Sequence, residues 1–255
     1  MRRGYTKGLR YTIDLSKIAD RENPRTVEAP IPSQYQEAII IDWGDGTSET
    51  FNSEINPAHT YAGTGNVFTI TIRSATGHLP RIVMNRTPAL NITKAIISID
   101  HFAGFAGDGV FRDYAGHASE TTNLKYIDTR LPGQWNWRSL ETAYIRSGIS
   151  QDIQSFCFDF LTSCTNFAQA FAYCSDLKGS LAGNAFDNCV SVKSFRLTFR
   201  ECPGITAPYI FWKSDGTLDT DKLPSLTDGT WCYYGCSSMD LSQIPSTYGG
   251  TMTVS

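Results

Sequence analysis

The stretch Ile39-Ile40-Ile41-Asp42-Trp43-Gly44-Asp45-Gly46-Thr47 decides how the first half of the chain is read. An apolar run leads into two glycines that flank an aspartate, and threonine follows. This pattern predicts a strand buried in the core and ending in a sharp turn. By the two-residue period, Ile39, Ile41 and Trp43 share one face, and Ile40 and Asp42 share the other. Gly44 and Gly46 admit positive φ, and Asp45 can bond its own backbone to close the turn.

Outward from this turn, alternation recurs on both sides. In Leu9-Arg10-Tyr11-Thr12-Ile13-Asp14-Leu15, Tyr11, Ile13 and Leu15 face one way and Arg10, Thr12 and Asp14 the other. In Val67-Phe68-Thr69-Ile70-Thr71-Ile72-Arg73, the inward residues are Phe68, Ile70 and Ile72. Residues 16–34 carry Pro24, Pro30 and Pro32 and read as a loop with one short strand. Thr47-Ser48-Glu49-Thr50-Phe51 can return antiparallel to the opening strand. Short strands separated by turn signals predict a small antiparallel sandwich.

Trp43-Gly44-Asp45-Gly46-Thr47, His59-Thr60-Tyr61, Gly65 and Phe68-Thr69-Ile70-Thr71-Ile72 together resemble the polycystic-kidney-disease (PKD) type of immunoglobulin-like domain. The likeness spans roughly residues 8–75, with Phe68 where that family usually has tyrosine. It implies a spacer or adhesion module without catalysis, with Trp43, Gly44, Asp45 and Gly46 as its structural turn. Asp42 and Asp45 lack the compact ligand run of a calcium loop, so Asp45 is read as a turn former. His59 is read as anchoring a strand edge, because His78, His101 and His117 show no metal-ligand spacing with it or with cysteine.

The second half is organised by cysteine. All 7 cysteines lie between Cys157 and Cys236. Five carry large apolar residues three positions before and after: Leu161/Cys164/Phe167, Phe171/Cys174/Leu177, Phe186/Cys189/Val192, Phe199/Cys202/Ile205 and Tyr233/Cys236/Met239. Chance at this composition would give about one such fit. Cys157 and Cys232 stand outside the pattern. The intervals of 10, 15, 13 and 34 are irregular, and the first two make 25, in the range of leucine-rich repeats. Each unit is expected to place a helical or turn segment around the cysteine and a short strand after it, with the cysteine inside the stack. Weaker copies at Thr122–Asp128 and Ser139–Ile145, each read as leucine followed by an apolar strand, put the start near residue 120.

Phe171-Ala172-Tyr173-Cys174-Ser175-Asp176-Leu177 and Tyr233-Tyr234-Gly235-Cys236-Ser237-Ser238-Met239 are similar to BspA-like leucine-rich repeats, over about residues 120–245. The expected fold is mainly β: a small PKD/Ig-like sandwich over 1–78, a connecting region over 79–119, and an irregular leucine-rich-repeat solenoid with short helical turns over 120–255, with an insertion at about 207–230. This pairing resembles proteins of bacteria and their phages. It implies a non-catalytic structural or binding protein, a virion accessory protein of head or tail that mediates protein–protein or host-surface attachment. The alternative is a bacterial cell-surface adhesin whose leader was removed.

Composition narrows the classes further. The chain has 255 residues, 41% hydrophobic and 18% charged, enough for a substantial core. The net charge of -3 argues against non-specific nucleic-acid binding. No run approaches the length of a membrane span, and Met1-Arg2-Arg3-Gly4-Tyr5-Thr6 has no apolar core of a secretory signal. The absent signal and seven thiols expected to be unpaired favour assembly in a cytoplasm. No cofactor or metal is expected, and Gly104-Phe105-Ala106-Gly107-Asp108-Gly109 lacks the lysine of a phosphate loop. Candidate contact residues for a protein or glycan partner cluster in and after the insertion: Tyr209, Phe211, Trp212, Trp231, Tyr233 and Tyr234. Trp135 and Trp137 are placed to seal the start of the repeat. Thr251-Met252-Thr253-Val254 can close its end or pair with a second copy.

Overall fold

The computed structural model describes residues 8–18, 23–31, 38–74, 92–103, 112–113, 121–128, 137–156, 158, 161–181, 185–207, 210, 221 and 223–240. The chain is mainly β. The strands are β1 (Gly8–Asp14), β2 (Thr26–Glu28), β3 (Ile39–Asp42), β4 (Ser48–Phe51), β5 (Ala58–Thr60), β6 (Val67–Ser74), β7 (Ile96–Ala103), β8 (Arg112–Asp113), β9 (Tyr126–Ile127), β10 (Trp137–Ser139), β11 (Lys178–Ser180) and β12 (Gly204–Ala207). One α-helical turn, Ile92–Ala95, precedes β7, and 3-10 turns cover Leu15–Lys17 and Ile153–Ser155.

Six strands form one sheet in the order β4-β3-β6-β1-β7-β9. Only β7 and β9 run parallel. Register aligns the apolar face: Ile41, Ile72 and Leu9 lie in one row, and Ile70, Tyr11 and Ile99 in the next. All are buried. The opposite face is polar, with Thr12 Oγ1 donating to Asp100 Oδ2 at 2.7 Å. β3 follows this rule more strictly than its apolar sequence suggests, since Ile40 is exposed on the polar face. Leu15, expected at the end of β1, is buried in the following 3-10 turn instead. β2 and β5 pair separately and bring Val27 into the same core, beside Ala29, Ile31 and Tyr61. Each fully buried Val, Leu or Ile among them contributes about 1.5–3 kcal/mol.

β7 lies within the expected connecting region, yet it bonds β1 along most of its length. A register shift opposite Thr12/Ile13 skips Ile97 and lets Ile96 and Ile99, three residues apart, both face inward. Through β9 the sheet runs on into the second half: Ser150 N donates to Lys125 O, and the Gln151 amide bonds both Ile127 N and Ile127 O. Asp152 then pairs in parallel with Lys178, and β11 pairs in parallel with β12.

On the other side of the second half, Ser139, Asn166, Ser194 and Asp228 pair successively in parallel. Each opens a rung of nine residues, 139–147, 166–174, 194–202 and 228–236, by accepting the backbone N–H two residues on through its side-chain oxygen. After that opening residue the rungs are not strands. Thr142 and Arg146, Gln169 and Tyr173, Leu197 and Glu201, and Trp231 and Gly235 all have positive φ. This bends each rung into consecutive turns. Alternate N–H groups bond three residues back within the rung, as Ala143 to Leu140 and Ala170 to Phe167. The others donate to the next rung: Leu140, Thr142, Tyr144 and Arg146 to the carbonyls of Asn166, Ala168, Ala170 and Ala172. The same four-bond pattern joins 167–173 to 194–200 and 195–201 to 228–234. The strand expected over Ala143–Ile145 is therefore this ribbon of turns. The expected insertion is also shorter, because Thr227 and Asp228 already bond Lys193 and belong to the stack.

Aromatic rings fill the stack. Tyr144, Phe171, Phe199 and Tyr233 lie face to face in series, with centroids 5.3, 5.5 and 5.8 Å apart. Phe167 and Phe195 stack at 5.2 Å, and Phe158 and Phe186 at 5.0 Å. One rung cannot bury its own rings alone, so stacking stabilises each unit.

Candidate functional site

Three constellations carry polar chemistry. The first is the turn of 43–47. Asp45 Oδ1 accepts Thr47 N at 3.0 Å and Thr47 Oγ1 at 2.6 Å, and its Oδ2 lies 2.8 Å from His59 Nε2. His59 Nδ1 is 3.5 Å from Glu49 Oε1, which also accepts Trp43 Nε1 at 2.9 Å. The His59 ring stacks on Trp43, and Tyr61 donates its hydroxyl to Trp43 O. Burial opposes ionisation of Asp45, but the bonds from Thr47 and His59 outweigh it and hold the carboxyl down at about 2. Asp45 and His59 thus pin the turn to β5. Among the described residues, no group of three or more His, Cys, Asp or Glu is arranged to hold a metal.

The second is the line of thiols. Cys164, Cys174, Cys189, Cys202, Cys232 and Cys236 are free and buried. Cys174, Cys202 and Cys236 occupy one position in successive rungs, and each donates Sγ–H to an aromatic residue's carbonyl one rung back: Tyr144, Phe171 and Phe199, all at 3.1 Å. In the first rung Ser147 stands there and donates to Tyr144 O within its own rung. Cys189 donates to Phe158 O at 3.2 Å. Cys232, outside the sequence pattern, occupies the small-residue place of Ala143, Ala170 and Thr198. Burial pushes the Cys174 thiol up to about 11 and those of Cys164 and Cys236 to about 12. A thiol so shifted carries little thiolate near neutrality and makes a poor nucleophile.

The third is a row along the outside of the rungs. The Arg146 guanidinium carbon lies 5.3 Å from the Tyr173 ring centroid. The Arg200 guanidinium lies between Tyr173 and Tyr234, 5.1 Å from each centroid. Arg146 is exposed, and the other three are half-buried. Each contact contributes about 0.5–1 kcal/mol at such sites. Trp231 lies one turn before Tyr234, which donates its N–H to Trp231 O, and is 49% exposed.

The candidate contact residues separate accordingly. Trp231 and Tyr234 are on the surface. Tyr233 is not: its ring is fully buried on Phe199, so it belongs to the core of the stack and not to a contact surface. Trp231 thus faces solvent while Tyr233, two residues on, points in. Tyr209, Phe211, Trp212, Trp135, Cys157 and segments 104–109 and 251–254 lie outside the described residues. Sequence reading missed Arg146, Tyr173 and Arg200. Their signal is the register of the polar residues that open each rung, which aligns Arg146 with Tyr173 and Arg200 with Tyr234.

Comparison with family models, curated proteins and solved structures gives no match for this chain. No helix among the described residues is long and apolar enough to cross a membrane.

Proposed function

We propose that the protein is a non-catalytic structural and binding protein, an accessory component of a phage virion attached to head or tail. In this reading the first half is a PKD/Ig-like β-sandwich that acts as spacer. The second is a leucine-rich-repeat solenoid of the BspA-like type that carries the binding face. The rung architecture is the observation that carries the reading: four segments bond edge to edge, and their polar row lies outside while the thiols are spent on packing. Six buried cysteines outside disulfides suit a protein assembled in a reducing cytoplasm. The raised thiols and the tethered His59 favour binding over covalent chemistry.

Mass spectrometry and electron microscopy of purified particles produced with the gene present and deleted test it. The chain should co-purify at fixed stoichiometry and account for density that is lost on deletion. Recovery from a bacterial envelope instead would establish the surface-adhesin alternative.

A further inference from the structure

Asp228 opens the last rung, and Gly229 follows it. A glycine amide is the least hindered nucleophile that can close on the side chain of a preceding aspartate or asparagine. Closure gives a five-membered succinimide. Two conditions govern it at an aspartate: the amide nitrogen must be free, and the carboxyl must carry a proton before its oxygen can leave as water.

Two other places in the chain allow a comparison. Asn166 opens the second rung as Asp228 opens the fourth. There the bulky Phe167 follows, and its N–H is tied to Ser194 O at 2.9 Å. Asp45-Gly46-Thr47 repeats both the sequence of Asp228-Gly229-Thr230 and its local bonds. In each, aspartate Oδ1 accepts threonine N at 3.0 Å and threonine Oγ1 at 2.6 Å. Asp45 Oδ2, however, lies 2.8 Å from His59 Nε2, and the carboxyl is held at about 2. The protonated form that cyclises is therefore rare at Asp45.

Asp228 has neither safeguard. Among the described residues, no group bonds its Oδ2 and no acceptor takes Gly229 N–H. The stack explains the free amide. Leu140, Phe167 and Phe195 stand at the place of Gly229 in the earlier rungs, and each donates its N–H to the opening residue of the next. No further rung follows the fourth among the described residues, and glycine replaces a large side chain there.

We infer that Asp228–Gly229 is a site of spontaneous isomerisation to isoaspartate, and that this slowly releases the last rung. The Gly229 nitrogen attacks Asp228 Cγ; a C–N bond forms, and the carboxyl OH and the amide proton leave as water. Water then opens the ring. Cleavage at the side-chain carbonyl restores aspartate. Cleavage at the main-chain carbonyl leaves Gly229 joined through Cγ, with the α-carboxyl free. No oxidant or partner is consumed. In isoaspartate the main chain is one carbon longer at the residue that opens the rung. Asp228 O, which accepts Phe195 N at 2.8 Å, is then no longer a peptide carbonyl. Residues 230, 232 and 234 fall out of step with Leu197, Phe199 and Glu201, which donate to them. The reaction belongs to the stack itself and does not depend on a place in a virion.

To test this, the full wild-type chain is kept folded for weeks at mildly acidic pH and then digested. Isoaspartate is located by electron-transfer fragmentation, since the mass is unchanged. Asp228 should convert about tenfold or more faster than Asp45, the size of one charge-assisted hydrogen bond in the barrier, and Asn166 should stay intact. Exposure alone would rank the two aspartates the other way, because Asp45 is exposed and Asp228 half-buried. Gly229→Ala should slow conversion at Asp228 severalfold; Gly229 is not in the left-handed region, so alanine suits its backbone. In the converted chain, hydrogen exchange should quicken at the amides of Leu197, Phe199 and Glu201 and stay slow at Leu140 and Tyr144. Equal conversion of Asp45 and Asp228, none at Asp228, or an unchanged rate in Gly229→Ala would overturn the site. Unchanged exchange in the converted chain would overturn the release.

Discussion

At Gly44, a Cβ would stand 2.5 Å from the carbonyl oxygen of Thr69, with φ at +82. At Gly46, φ is +93 but the space is open. The two glycines of one turn therefore differ in what they tolerate. Gly44→Ala should lower unfolding free energy by about 1–3 kcal/mol or more, through both strain and collision. Gly46→Ala should cost about 1 kcal/mol from backbone strain alone. Urea denaturation of both variants measures the difference. Asp45 gives this turn a pH dependence. Its carboxyl is held at about 2, below its ordinary value of 3.8. A depressed carboxylate contributes stability that is fully present above the unfolded value and is lost as pH falls through that value toward about 2. Melting temperature should therefore fall across that acid range. In Asp45→Asn the fall should be shallower, while stability near neutrality is lower because an amide oxygen accepts the Thr47 bonds less strongly than a carboxylate does.

A rung depends on its neighbour more than on itself. The thiols of Cys174, Cys202 and Cys236 each reach back one rung, so these contacts exist only while adjacent rungs are stacked. Alkylation at pH 8 followed by peptide mapping should leave Cys164, Cys174, Cys189, Cys202, Cys232 and Cys236 unmodified in the folded chain. Modification should begin together with unfolding in urea. The strands of the first half were legible because Leu9, Tyr11 and Ile13, or Ile70 and Ile72, alternate with polar residues. The rungs were legible only as a cysteine rhythm. Their backbone uses positive φ at Thr142, Leu197 and Trp231, residue types that do not signal it. Neighbouring rungs impose that conformation through their hydrogen bonds, which no single segment reveals. The Arg146–Tyr234 row was hidden for a related reason: its partners sit on different rungs, and the rung spacing changes along the chain.

For the molecule as a whole, β7 is the joint. It bonds β1 on one edge and β9 on the other, and β9 leads into the stack through Ser150 and Gln151. A chain whose two halves share a strand should unfold in one step. Native-state hydrogen exchange should give amides of Tyr11 and Ile70 the same opening free energy as those of Phe171 and Phe199. Separate values, with the stack opening while the sheet stays protected, would mean that the joint does not couple them.

The rungs also give the molecule a grain. Bonds between rungs run along the stack, four to each junction, whereas the covalent chain winds across it. A pull along that axis loads the four bonds of a junction together, and a pull at the edge of one rung meets them singly. Such a molecule should be toughest when drawn along the stack and should yield most easily when one rung is peeled sideways.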